Sequence, residues 1–453
     1  MQVATNTPQK QQTGSVLLVS LITCAILGTI LASYLTMVQS QSIAVMRSQA
    51  WNASIAATEA GIEEALAHLN RNAPFFDLAE ATNNLAANYW TQVGNTFHAP
   101  RRYLGLRSFY DVSITLQGLQ PFINATGYVW MADTYAYAPA YVLAAIGGDE
   151  PAPKLQARSV NVETVPDPLF DVAMAAMSTI DFSGNNVSTD SFDSADPNHS
   201  ENGGYPFTQP AKRKSNGDVC SNATIINSID VGNANINGKA KTGPNGTVYV
   251  GKNGYVSGGI DDDFNVVFPP VTLPQTAWLY AGSGNYTFNG KTYKHAILNS
   301  GDYYLVGLSG SLFIGTNARV RLLLTGNTKL TGNSEEIRIS PGATLRLFVN
   351  APSFSIKGQG VANHNNNAAS FYYFGTTNNT SVSFGGNAAF TGAIYAPQAD
   401  FSLGGGGNDI YDFIGASVTR TVKMNGHFNF HYDENLRRVG PSRGFVPTRW
   451  QET

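Results

Sequence analysis

From Val16 to Val38 the chain reads VLLVSLITCAILGTILASYLTMV, without a single charge. As a helix rising about 1.5 Å per residue, this run spans roughly 35 Å, enough to cross a hydrocarbon core of about 30 Å. Its polar members are Ser20, Thr23, Thr29, Ser33, Tyr34 and Thr36, and Ser and Thr hydroxyls can bond their own helix backbone in lipid. The run therefore predicts a transmembrane helix. A cleaved secretory signal is the competing expectation, but the run exceeds the usual length of a signal core. A buried core helix is another, though such helices rarely run this far without charge. Lys10 and the α-amino group on one side, against Arg47 on the other, favour a cytoplasmic N-terminus.

The helical pattern continues past Val38. Apolar residues recur at Ile43, Met46, Ala50, Trp51, Ile55, Ile62, Leu66 and Leu69, in steps of three and four that make one stripe. No proline falls between Gln11 and Arg71. One helix over about 16–70 is expected: 16–38 in lipid, and 39–70 packing Ile43, Trp51, Ile55, Ile62, Leu66 and Leu69 on a sheet or a neighbouring subunit. Glu59 is a candidate for a polar contact with a neighbouring helix.

Beyond residue 70 the period changes to two. Leu78, Leu85 and Tyr89 suggest a short second helix, and then YDVSITL (110–116), TGYVWMA (126–132), AYVLAAI (140–146) and RSVNVETV (158–165) read as strands between Gly and Pro turns. These predict an α+β region over 71–168, ended by Pro166 and Pro168. From Leu169 short alternating runs are punctuated by Gly-Asn and Asn-Gly, which turn corners because they tolerate positive φ. Comparable strands recur loosely, as at Leu322 and Leu345, a spacing that suits one coil of a parallel β-solenoid over 169–440. A β-sandwich is the alternative. An insertion is expected at about 260–305, and 441–453 reads as a short, loose tail. The fold class expected is thus mainly β with a long N-terminal α-helix.

Composition changes this picture little. Only 13% of the 453 residues are charged, against about 25% in a typical chain, while 43% are hydrophobic and 45 are Gly. Net charge is −3 and no basic stripe is present, so nothing points to nucleic acid. Cys24 lies in the apolar run and Cys220 far beyond it, so no disulfide between them is expected and the body must hold itself by burial and backbone ladders.

Candidate chemistry is sparse. Asp261, Asp262 and Asp263 form the densest acidic cluster; a solvated acidic turn competes here with a Ca²⁺ site. His427 and His431 share a face if extended, with Asp433 and Glu434 nearby; polar capping of the last coil competes with a metal site. Asp181, Asp190, Asp193 and Asp196 raise the alternative of a membrane-anchored solenoid enzyme acting on polysaccharide. No nucleophile-elbow, zinc or phosphate-loop motif is present. No catalytic residue, metal or cofactor is assigned, and the chain is read as not an enzyme. Two aromatic clusters, Tyr89, Trp90, Tyr128, Trp130, Tyr135, Tyr137 and Tyr141, and Phe371, Tyr372, Tyr373 and Phe374, are either core or a contact surface for a glycan or surface ligand. The Asn-x-Ser/Thr triplets, such as that at Asn186, are the chance product of an Asn-rich chain.

Two stretches carry a resemblance. A polar leader (1–15) ending near Gly14, the run GSVLLVSLITCAILGTILAS and AATEAGIEEAL at 56–66 resemble the N-terminus of PilX-type minor pilins, whose long helix type IV pilins and type II pseudopilins share. The resemblance implies cleavage by a prepilin peptidase between Gly14 and Ser15, and partners in other pilin-like subunits as well as the bilayer. It also implies a place in the bacterial inner membrane with the C-terminal domain on the far side. Val19 stands where major pilins carry Glu, which implies a minor subunit. The markers GAIYAP (392–397), Gly404 to Gly407, MNGHFNFHYDENL (424–436) and TDSFDS (189–194) resemble the C-terminal β-solenoid fused to such N-termini, bactofilin-like in texture. That resemblance implies a fold and no catalytic residue. A plain adhesin without pilus machinery is the remaining alternative.

Overall fold

The computed structural model describes residues 15–71, 84–117, 120–131, 155–182, 187–386, 390–405, 411–426 and 428–453. Gly14, Leu78, Tyr135, Tyr137, Tyr141, the run 140–146, Asn186, Gly406, Gly407 and His427 lie outside the described residues. The chain divides into two compact units. The first joins Met1–His68, Asn84–Thr164 and Pro447–Thr453; the second joins Leu69–Asn83 and Val165–Val446.

In the first unit one helix runs over Ser15–Asn70, 56 residues, or about 84 Å. Absence of proline and the frequent Leu and Ala residues allow that length. Strands Ser108–Gln117, Gln120–Trp130 and Leu155–Pro168 form an antiparallel sheet, with Val112 opposite Ala125 and Ala125 opposite Val160. Alternate residues Val112, Ile114, Ile123, Ala125, Val160 and Val162 are buried, as a sheet with one covered face requires. The C-terminal residues are not a loose tail: Ser442–Glu452 is a strand at the edge of this sheet, beside Leu155–Pro168. Arg158 is bidentate to Glu452, at 2.6 Å on both arms, which fixes the strand's end.

The second unit is a parallel β-solenoid. One column of side chains runs through eleven strands in register: Leu279, Tyr303, Leu322, Leu347, Tyr373, Ile394, Ser417, Met174, Val219, Ala240 and Ile260. A second face stacks Thr328, Phe354, Val382, Phe401, Val422, Ile180, Ile229 and Val248. A third stacks Phe390, Phe413, Phe430, Thr189, Ile236 and Val256. The parallel pairing rules out the β-sandwich. It also corrects the repeat: Leu322 pairs with Leu347, and Leu345 pairs with Val320. A shift of two residues preserves the inward face, so the alternation alone does not set it.

The stacking order is not the chain order. After the rung of Ser417 comes the rung of Met174, so the earlier block Met174–Asp261 extends the coil beyond the later one. Residues 262–278 return along the flank. Phe264 N donates to Thr242 O, Val266 exchanges hydrogen bonds with the Asn222 side chain, Tyr395 donates to Pro269 O at 2.6 Å, and Thr276 donates to Asp302 at 2.6 Å. Eight rung steps of about 4.8 Å make about 38 Å, and twelve residues at about 3.3 Å reach about 40 Å. Pro269, Pro270 and Pro274 suit such a strap, which crosses rungs and needs few backbone donors. The insertion expected at 260–305 is therefore mostly strap and rung. The hairpin Tyr286–Phe288 with Lys291–Tyr293 is its antiparallel part.

Candidate functional site

The candidate site is the long helix, and its two halves differ sharply. Val16, Leu17, Leu21, Leu27, Ile30 and Leu31 are all more than half exposed. The helix is long and apolar enough to cross a membrane. Its hydroxyls serve themselves: Ser20 donates to Leu17 O, Thr23 lies 2.9 Å from the carbonyls of Val19 and Ser20, Thr29 donates to Ile26 O and Thr36 to Ser33 O. A surface with its polar groups already paired transfers into hydrocarbon at low cost.

The other half is buried by small residues. Ala50, Ser54, Ala57, Thr58, Ile62 and Ala65 lie at most 6% exposed. Strand residue Gly127 shows why: a Cβ there would sit 2.2 Å from Ser54 O and 2.5 Å from Thr58 N. The helix backbone rests almost on the strand backbone. Gly127 N donates to Thr58 Oγ1 at 3.0 Å, and that hydroxyl also reaches Arg158 O at 3.0 Å. Of the expected stripe, Ile62 and Leu69 are buried, Ile43, Ile55 and Leu66 are half-buried, and Trp51 stays 45% exposed under the Arg158 guanidinium, 4.4 Å from its ring centre. Glu59 is exposed. Within the unit the helix makes a polar contact through Glu64, which lies off the apolar stripe: it accepts from Arg102 at 2.9 Å and from the Tyr110 hydroxyl at 2.7 Å. Burial, then the Glu64 hydrogen bond, pushes the Tyr110 phenol well above its usual range.

The acidic candidates do not gather. Asp261 pairs with Lys239 at 2.9 Å, which holds its carboxyl below the usual range; Asp263 faces Lys241 at 3.4 Å, and Asp262 accepts from Asn245 N. Asp181 pairs with Lys423, Asp193 with Arg438, and Asp196 turns a loop through Asn198 N. His431 lies buried between Asp190 at 2.5 Å and Asp412 at 3.0 Å, stacked on the Tyr205 ring. Burial works to lower its pKa, but the two carboxylates carry it above the usual histidine value. Asp433 Oδ1 accepts from Ser194 N and Asn435 N, and Glu434 binds Lys214 and Ser191. Among the described residues no cluster of His, Cys, Asp and Glu has the arrangement of a metal site. Phe371, Tyr372, Tyr373 and Phe374 are buried core, and so is Trp90; Tyr89 is exposed.

The family model of a domain of unknown function, DUF7305, matches residues 275–439. That range is the solenoid's later block, from the end of the strap through the short helix Leu436–Val439. No curated protein matches the chain. Among solved structures, the competence-associated pilin ComZ from Thermus thermophilus aligns at 10% identity over 89% of this chain and 97% of that chain, with a TM-score of 0.27. So loose a superposition carries no argument.

Proposed function

We propose that this chain is a non-enzymatic, pilin-like protein of the bacterial cell envelope. Its helix inserts in the inner membrane, the rest of the chain lies on the far side, and a prepilin peptidase cuts between Gly14 and Ser15. It joins or primes a type IV pilus or related pseudopilus through packing of the bare apolar half of the helix against other pilin-like subunits. The solenoid, bactofilin-like in texture, serves as a spacer or adhesive element. The observation that carries this reading is one uninterrupted helix, exposed and charge-free over Val16–Val38 and packed on its own sheet from Ala50 onward. A soluble protein would cover so large an apolar surface.

N-terminal sequencing of the protein extracted from membranes tests it. A mature chain beginning at Ser15 is the expected result. An intact Met1 in the membrane fraction, or a mature chain lacking Val16–Val38, overturns it.

A further inference from the structure

On the solenoid flank, strands Gly301–Leu305, Arg319–Leu324 and Thr344–Val349 lie side by side. Val320, Leu322, Leu324, Leu345 and Leu347 point inward and are buried, so Asp302, Arg319, Arg321, Thr344 and Arg346 point outward. These outward residues line, with Val320, a cavity of about 310 Å³. Register sets Asp302, Arg321 and Arg346 in one outward column, and the next position in it, Tyr372, is buried. Arg321 grips Asp302 with both arms, at 2.5 and 2.6 Å. Arg319 and Arg346 make no ion pair among the described residues. Three guanidiniums face one carboxylate, in a chain whose net charge is −3.

We propose that this groove binds an acidic sugar: a uronate whose carboxylate takes Arg319 and Arg346. Neighbouring strands lie about 4.8 Å apart and alternate residues of one strand about 6.6 Å apart. Arg319 stands opposite Thr344 and Arg346 opposite Arg321, so the two arginines are diagonal neighbours about 8 Å apart on the sheet, a span that one oxyanion can bridge between side chains of this length. A planar, two-oxygen acceptor suits the guanidinium fork. The cavity holds more than a bare ion; both Asp302 oxygens are already taken by Arg321 and Thr276, which leaves the Thr344 hydroxyl to pair with a ring hydroxyl beside Val320. The lining includes no aromatic or long aliphatic surface that would favour an apolar ligand. The inference uses solenoid residues alone and stands whether or not the leader is cut.

Calorimetric titration of the detergent-solubilised full chain tests it, with glucuronate, glucose and inorganic phosphate as probes. Glucuronate should bind at about millimolar Kd, weaken as salt rises, and exceed glucose by about tenfold or more. Arg346→Ala should lose about tenfold in affinity with an unchanged melting temperature, and Arg346→Lys should recover only part, since an ammonium lacks the planar fork. Absence of glucuronate binding, or an Arg346→Ala protein that binds it unchanged, overturns the site. Phosphate binding as tight as glucuronate overturns the sugar assignment.

Discussion

The helix–sheet contact and the solenoid core solve burial in opposite ways. In the first, the buried helix positions are mostly small, Ala50, Ser54, Ala57, Thr58 and Ala65, and backbone meets backbone at Gly127. In the second, the interior mixes aliphatic side chains with large aromatic ones, with Phe390, Phe413 and Phe430 stacked at 4.3 and 4.4 Å and rings within 14° of parallel. A parallel coil repeats its geometry at every rung, so identical rings stack at close to the strand spacing. A single helix crossing a twisted sheet comes closest at one place, and there only small side chains fit. Adding atoms should therefore break the first region and removing atoms should break the second.

The largest effect follows from addition. Gly127→Val puts branched carbons against the Ser54 and Thr58 backbone, where nothing flexible can yield. More than about 4 kcal/mol should be lost, read as protease cleavage within the helix–sheet unit under conditions that spare the wild type. A variant as resistant as wild type would mean that the helix does not rest on this strand.

Next comes removal. Phe413→Ala takes a ring out of the middle of its stack and should cost about 3–5 kcal/mol, measured as a drop in the denaturant midpoint with unchanged slope. Phe413→Leu should recover about half of that. A loss under about 1 kcal/mol would argue that the rings pack loosely.

His431 gives a smaller, pH-dependent effect at the place where the two solenoid blocks meet: strand Phe428–Asp433 pairs with Ser188–Phe192. Its folded pKa is raised above the unfolded value of about 6.5. The folded state holds the proton more tightly, so this stabilisation is complete below about pH 6.5 and fades as pH rises through the folded value. The groups facing the ring are Asp190, Asp412 and the Tyr205 phenol. The solenoid's Tm should fall by a few °C between pH 6 and pH 9, and His431→Gln should flatten that slope. An unchanged slope in the variant would mean that the ring is neutral throughout.

How much of this was legible in the sequence depends on the distance over which each feature is encoded. The helix is a local period of apolar residues, and it reads off directly from Val16 to Leu69. The strands at 110–116 and 158–165 also read off, within about three residues of their ends, because each buries alternate residues; the strand expected at 126–132 begins six residues earlier, at Gln120. Coil repetition showed in the Gly-Asn corners. The rung order did not: nothing near Met174 records that Ser417 will lie beside it. The pairing joins two blocks whose complementarity exists only once both are coiled. The strand Ser442–Glu452 was hidden because Val446 and Trp450 remain exposed and Pro447 interrupts it, so no alternation marks it. Trp51 packs under Arg158 yet stays 45% exposed, so bulk along the stripe does not mark where the helix comes closest to the sheet; the small residues do, because closeness excludes bulk. The charge pair of Glu64 and Arg102 also escaped, since their strand and helix meet only in three dimensions.

The smallest effect belongs to the bare half of the helix and sharpens the comparison from the other side. If that surface contacts lipid and neighbouring apolar helices, its hydroxyls matter little, because each already bonds within its own helix. Thr23 is the best case, with two backbone carbonyls at 2.9 Å. Thr23→Val removes the hydroxyl without leaving an unpaired donor, since the carbonyls keep their helical partners. The change should stay within about 0.5 kcal/mol and leave membrane fractionation unaltered. Thr23→Lys, by contrast, places a charge about a third of the way along the run, at up to about 2.5–3.5 kcal/mol for insertion, and should shift protein out of the membrane fraction. If valine and lysine behaved alike there, the run would not lie in lipid, and the same helix that packs so closely on Gly127 would have no reason to leave its other half bare.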